Sequence, residues 1–147
     1  MSLPLGKYDF NFNESADRKS IFDIVRKKFV NLTPEEFVRQ HLLYYLHYDK
    51  KYSLSLMRSE FFLMVNDTPK RCDVLVFNSA GETLLLAECK AASEPIDFTT
   101  FEQMMIYNQE VQAKYFLLTN GSITYIASHE NGKLEVLDDI PMCTSNI

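Results

Sequence analysis

The chemistry in this chain concentrates where a buried strand should carry no charge. Residues 84–90 read Leu-Leu-Leu-Ala-Glu-Cys-Lys, an apolar run that ends in an acid and a base. A strand alternates its side chains, so Glu88 and Lys90 share a face with Leu84 and Leu86. The preceding strand-like stretch, residues 72–77 (CDVLVF), is separated from it by Asn78-Ser79-Ala80-Gly81. An antiparallel hairpin folded about Ala80–Gly81 sets Asp73 opposite Glu88, with Cβ atoms about 5 Å apart. A register slip of one residue would turn one acid to the other face. Two carboxylates at 4 Å repel by about 1 kcal/mol in water and about 4 kcal/mol at an effective dielectric of 20. Lys90 offsets one charge, and the remainder invites a proton or a bound cation. Oxygen donors completed by water suit Mg²⁺ or Mn²⁺ rather than zinc, and the backbone carbonyl of Cys89 is a candidate additional ligand. The plainer reading is an Asp that only starts a strand and a solvated Glu–Lys pair worth ~0–1 kcal/mol.

These residues need elements to hold them. Thr33-Pro34-Glu35-Glu36 has the form of a helix start, with Thr as N-cap, Pro at the first position and Glu36 completing a capping box. The predicted helix runs to about His47, with Val38, Leu42, Tyr45 and Leu46 as its apolar stripe. Strands are predicted at 60–66, 72–77 and 83–91, a second helix at 98–111, and strands at 115–119 and 123–128 about the Asn120-Gly121 turn. A weaker strand covers 134–137 after Asn131-Gly132. Residues 20–30 carry Ile21, Ile24, Val25 and Phe29 at weakly helical spacing, and residues 1–19 read as polar and irregular. The expectation is one α/β domain over 1–147, a mixed sheet covered by helices.

Composition narrows the function. The 147 residues carry 15 Lys+Arg against 20 Asp+Glu, a net charge of −5 that excludes a basic nucleic-acid coat. Residues 1–90 hold 13 basic and 12 acidic side chains, residues 91–147 hold 2 and 8, so an anionic partner is better tolerated by the first part. The 3 cysteines (Cys72, Cys89 and Cys143) form no C-x-x-C pair, which argues against a zinc ribbon or a disulfide framework and for a reducing cytoplasm. No apolar run approaches the roughly 20 residues of a membrane span, and the N-terminus lacks the pattern of a signal peptide. His41, His47 and His129 show neither metal-ligand spacing nor a nucleophile partner. The aromatic residues from Tyr44 to Phe62 read as core or subunit contact, because basic residues barely interleave with them.

The order of elements and motifs resembles the PD-(D/E)XK nuclease superfamily, with Asp73 as its Asp and Glu88-Cys89-Lys90 as its (D/E)-x-K. More narrowly, it resembles the N-terminal nuclease domain of type I restriction enzyme R subunits. The stretches that carry this are Thr33–Gln40, Arg71–Val76, Leu86–Ala91 and Phe101–Asn108, the last holding a Q-x-x-x-Y signature as Gln103 and Tyr107. Cys72 stands where a Pro usually precedes the Asp.

The resemblance implies a restriction-endonuclease-like α-β-β-β-α-β core and a bacterial, Mg²⁺-dependent DNA endonuclease, with Mn²⁺ as substitute. Type I R subunits also carry a translocating motor, and this chain ends at Ile147, so the expectation is a nuclease-like domain without the motor. Its partners would be DNA and a homodimer mate or a separate motor or specificity subunit. The alternative is a non-enzymatic DNA- or protein-binding remnant of the family. In the family mechanism Asp73 and Glu88 hold the metal and Lys90 positions water or stabilises the transition state. A Glu from the first helix often joins the metal; Glu35, beside the inward stripe, is favoured over Glu36, which the capping box explains. Gln103 and Tyr107 share one helix face and would hold the DNA backbone or orient Lys90. Arg39, Lys70 and Arg71 are the basic candidates for phosphate contact.

Overall fold

The computed structural model describes residues 1–4, 6–15 and 17–144. Three short strands come first: β1 (Phe12–Ser15), β2 (Arg18–Asp23) and β3 (Lys28–Asn31) form an antiparallel meander. Then follow α1 (Pro34–Tyr44) and β4 (Met57–Val65), β5 (Thr68–Phe77) and β6 (Thr83–Cys89), with α2 (Phe98–Tyr107) next. The chain closes with β7 (Tyr115–Thr119), β8 (Thr124–Glu130) and β9 (Lys133–Leu137). From α1 to β7 the order is helix, three strands, helix, strand, the core that the resemblance implies.

Strands β4 to β9 make one six-stranded sheet in chain order, antiparallel except where β6 and β7 run parallel. A parallel pair needs a crossover, and α2 supplies it. The Thr33 cap forms as expected, its hydroxyl accepting from the Glu36 N–H at 3.0 Å. The reciprocal arm of the box is absent: the Glu36 carboxylate accepts from Arg39 and Gln40 instead. Beyond α1 the helix continues as a π-helical turn, Tyr45–Asp49.

The sheet is covered on both faces. On one side Val38, Leu42, Leu43 and Leu46 pack on Val74, Val76, Leu85 and Ala87. On the other, Phe101, Met104 and Met105 of α2 pack on Leu75, Leu86, Phe116 and Leu118. Central strands buried on both faces read as continuous apolar runs for this reason.

The N-terminal third departs from expectation. Residues 20–30 are not helical but form most of β2, a turn and β3. The Asp23 carboxylate accepts from the N–H groups of Val25 and Arg26, and this local turn outcompetes a helix. Residues 1–19 are not wholly irregular either: they contain β1, and Leu3 is buried, its N–H donating to the Gly121 carbonyl at 2.9 Å. The β4–β5 hairpin turns at Asn66-Asp67, both at positive φ (50° and 62°), so β5 starts at Thr68, ahead of the strand predicted from residue 72. Helix α2 ends at Tyr107, and Gln109–Val111 is a 3₁₀ turn.

Candidate active site

The hairpin that carries the acids has the expected register. Val74 pairs with Ala87, Leu75 with Leu86 and Val76 with Leu85. The ladder ends at Val74–Ala87, and Asp73 and Glu88 are the next residues on the two strands. The Cys89 N–H donates to Asp73 Oδ2 at 2.8 Å, which ties the two strand ends together. Glu88 shares parity with Leu86 on the α2 side, but alternation breaks beside Asp73: Cys72 and Leu75 both pack on the α2 side, and the Asp73 carboxylate reaches Arg39 of α1.

An open cleft of about 240 Å³ lies at this strand end, lined among others by Glu35, Arg71, Asp73, Glu88, Cys89, Lys90 and Tyr107. Lys90 Nζ is 3.4 Å from Glu88 and 3.8 Å from Glu94. Partial burial pushes the Lys90 ammonium toward losing its proton, but Glu88 and Glu94 outweigh it, so the pKa is raised and Lys90 is a fixed cation rather than a base. The Cys89 thiol is buried in the core facing α1, and burial raises its pKa well above the ordinary thiol value. Cys72 is raised to about 11 for the same reason. Both are protonated packing groups, not nucleophiles.

Other expected site residues divide. Glu35 lines the cleft, whereas Glu36 is buried and turned to Arg39 and Gln40. Tyr107 lies at the mouth, 71% exposed, with the Lys70 ammonium 4.3 Å from its ring centroid and donating to its carbonyl. Gln103 is exposed on α2 and does not line the cleft. The side chain of Arg71 is 60% exposed and donates to Glu60 at 2.5 Å. Arg39, expected at a phosphate, is instead 3% exposed and points inward, because three carboxylates surround its guanidinium.

That surrounding network is what the sequence reading missed. Arg39 donates to Glu36 at 2.6 Å and to Asp73 Oδ1 at 3.2 Å, and lies 3.4 Å from Glu60. Arg26 donates to Asp23, Glu36 and Glu60, and Ser59 donates to Asp23 at 2.8 Å. Burial raises the Glu36 pKa even though Arg39, Gln40 and Arg26 pull it down. For Asp23 burial is also the largest influence, but donors from Arg26, Ser59 and Val25 together carry its carboxyl below the usual value. Glu60 sits in β4 at φ 48°, where Ser59 pairs with Val74 and Phe61 with Cys72, so the ladder is interrupted opposite Asp73. A left-handed residue inside a strand stores strain, and such residues cluster at functional sites. Local periodicity carries no sign of these partners, which come from four separate elements.

Asn120 does more than form the turn that the Asn120-Gly121 pair predicts. It is buried, braces its own turn by accepting from Ser122 and Ile123, and donates to the Glu94 carbonyl at 2.9 Å. The loop after Lys90 is thereby pinned to the β7–β8 turn, and the Lys90 N–H donates to the Thr119 carbonyl at 2.8 Å.

A family profile described as type I restriction enzyme R protein N terminus (HSDR_N) matches residues 34–141. The chain belongs to this family. No curated protein matches it significantly. The HSDR_N match spans α1 to the end of the six-stranded sheet, and so includes every expected site residue, from Glu35 to Tyr107. The meander β1–β3, which supplies Asp23 and Arg26, lies outside it.

Asp73, Glu88 and the Cys89 carbonyl offer hard oxygen donors in an open polar cleft, the chemistry that suits Mg²⁺ or Mn²⁺. Among the described residues no cluster of three or more His, Cys, Asp or Glu side chains forms a metal-holding group. A divalent ion here would depend on these two carboxylates, a carbonyl and water. No helix among the described residues is long and apolar enough to cross a membrane.

Proposed function

We propose that this HSDR_N domain is a Mg²⁺-dependent endonuclease acting on DNA phosphodiester bonds. One observation supports the reading: Asp73, Glu88 and Lys90 line one open cleft at the end of the β5–β6 hairpin, with the Cys89 N–H donating to Asp73 and the Lys90 ammonium 3.4 Å from Glu88. Asp73 and Glu88 would hold the ion, with the Cys89 carbonyl and water as further donors and Glu35 lining the cleft beside them. When bound, the ion would acidify a water and offset charge on the scissile phosphate. Lys90 supplies a fixed positive charge where charge develops on the phosphoryl oxygens. Tyr107 orients the DNA backbone at the cleft mouth, with Lys70 holding its ring, and Arg71 contacts phosphate. Gln103 shares its helix face one turn away and reaches substrate outside the cleft. The setting is a bacterial cytoplasm, with DNA and a second copy or a motor or specificity subunit as partners.

The test is nicking of supercoiled plasmid and of branched DNA with Mg²⁺ or Mn²⁺. Asp73→Asn and Lys90→Met are expected to lose at least about 100-fold in rate, in line with the loss of one transition-state charge partner. Variants that cleave as fast as the parent overturn the assignment. A second reading, a DNA- or protein-binding module without turnover, draws on Asp73 already holding an internal cation, Arg39. DNA binding without cleavage under either metal supports that reading.

A further inference from the structure

Arg39 is permanently charged, and its donors are set in a rigid planar fork. It is 3% exposed and touches carboxylates from three elements: Glu36 of α1, Glu60 of β4 and Asp73 of β5. Its Nε is buried without a hydrogen-bond partner, so the head group is committed to these acids through its terminal nitrogens. The Asp73 carboxylate receives one donor on each oxygen, Arg39 on Oδ1 and the Cys89 N–H on Oδ2. Two constraints of this kind, one on each oxygen, fix the carboxylate rotation while a second lone pair remains on each oxygen. Arg39 is itself held. Glu36 accepts from it at 2.6 Å, Gln40 donates to the other Glu36 oxygen at 3.1 Å, and Arg26 ties Glu36 and Glu60 to the β2–β3 turn through Asp23.

We infer that Arg39 is a positioning residue of the cleft: it orients Asp73 and, as a resident cation beside it, sets how tightly a divalent ion binds. This rests on the two-carboxylate reading proposed above. An arginine with a purely architectural role would, when removed, weaken ion binding and catalysis together with the fold. A resident cation on a ligand oxygen gives a different signature. Its removal, even with Glu36 neutralised alongside it, frees Asp73 Oδ1 for the ion and loosens the carboxylate, so binding tightens while turnover falls.

The experiment compares the parent, Arg39→Lys and the paired variant Glu36→Gln/Arg39→Met, with Asp73→Asn as blank. The paired variant is used because removing Arg39 alone strands the buried Glu36 carboxylate. Each is checked for fold by circular dichroism, titrated with Mn²⁺ by calorimetry and assayed for plasmid nicking. The paired variant is expected to bind Mn²⁺ at least about fivefold tighter and to nick at least about tenfold more slowly. Arg39→Lys keeps the charge but loses the fork, so its Mn²⁺ affinity stays within about twofold while nicking falls about tenfold. Should the paired variant not fold, Arg39→Lys alone decides: nicking at the parental rate overturns the proposal. A folded paired variant with unchanged or weaker Mn²⁺ binding, or with parental nicking, also overturns it. A parent that binds no Mn²⁺ overturns the two-carboxylate reading and this proposal together. A parent that binds and cleaves beside an indistinguishable paired variant overturns only the role of Arg39.

Discussion

Asp23 illustrates how much this fold asks of single carboxylates. It is fully buried, capped by the N–H groups of Val25 and Arg26, and accepts from the Arg26 side chain and Ser59. Its carboxyl is held below the usual value, as is that of Glu60 beside Arg71, Arg39 and Arg26. An acid depressed in the folded state contributes stability above its unfolded pKa of about 3.9, and that contribution is lost as pH falls through the folded value. Glu36 is raised and works the other way, so its contribution declines as pH rises above the ordinary Glu value of about 4.3. Urea midpoints of the parent should therefore fall steeply below about pH 4, and Asp23→Asn should flatten that limb. At pH 7 Asp23→Asn should cost on the order of 1–3 kcal/mol, because two backbone N–H groups and Ser59 lose a charged acceptor while Arg26 keeps Glu36 and Glu60. An unchanged acid limb in the variant would remove Asp23 from the explanation. The β5–β6 register from Val74–Ala87 to Val76–Leu85 was legible in the sequence because the turn position sets it, with only the bulge between Val76 and Phe77 unforeseen. The ion network around Arg39 was not, because a guanidinium at α1 has no local feature that separates a phosphate contact from an internal partner.

Elements with strong end signals were also legible. Thr33-Pro34 started α1 where the sequence said, and its cap can be tested directly. Thr33→Ala should lower stability by about 1 kcal/mol, read as a shifted urea midpoint at constant slope. Because α1 carries both Glu35 and Arg39, the same variant should slow nicking in a way that a loop substitution does not. The helix predicted for residues 20–30 failed for an identifiable reason. Ile21, Ile24 and Val25 satisfy helical spacing, but Asp23 favours a side-chain-capped turn, and Ile21 and Asp23 point to one side while Phe22 points to the other. The strand break at Glu60 gave no sequence signal either, since a glutamate at φ 48° contradicts its own local preference and is held by Arg39, Arg71 and Arg26.

At the scale of the molecule, the family match begins at residue 34, yet the fold does not. Ile21 of the meander is fully buried, and the Asp23–Arg26 turn braces Glu36 and Glu60. Ile21→Ala is expected to lose about 2–5 kcal/mol, a fall on the order of 10 °C in Tm by circular dichroism. A Tm within about 2 °C of the parent would show the meander to be dispensable to the core. Such coupling between chain ends is invisible to periodicity, which sees one element at a time. The loop after Lys90 has a consequence of its own. Tethered at Thr119 and Glu94, with Pro95 stiffening its path, it cannot swing shut like a jaw. If the cleft receives a double helix, as proposed, the duplex would have to bend or open to bring a phosphate down to this stationary floor.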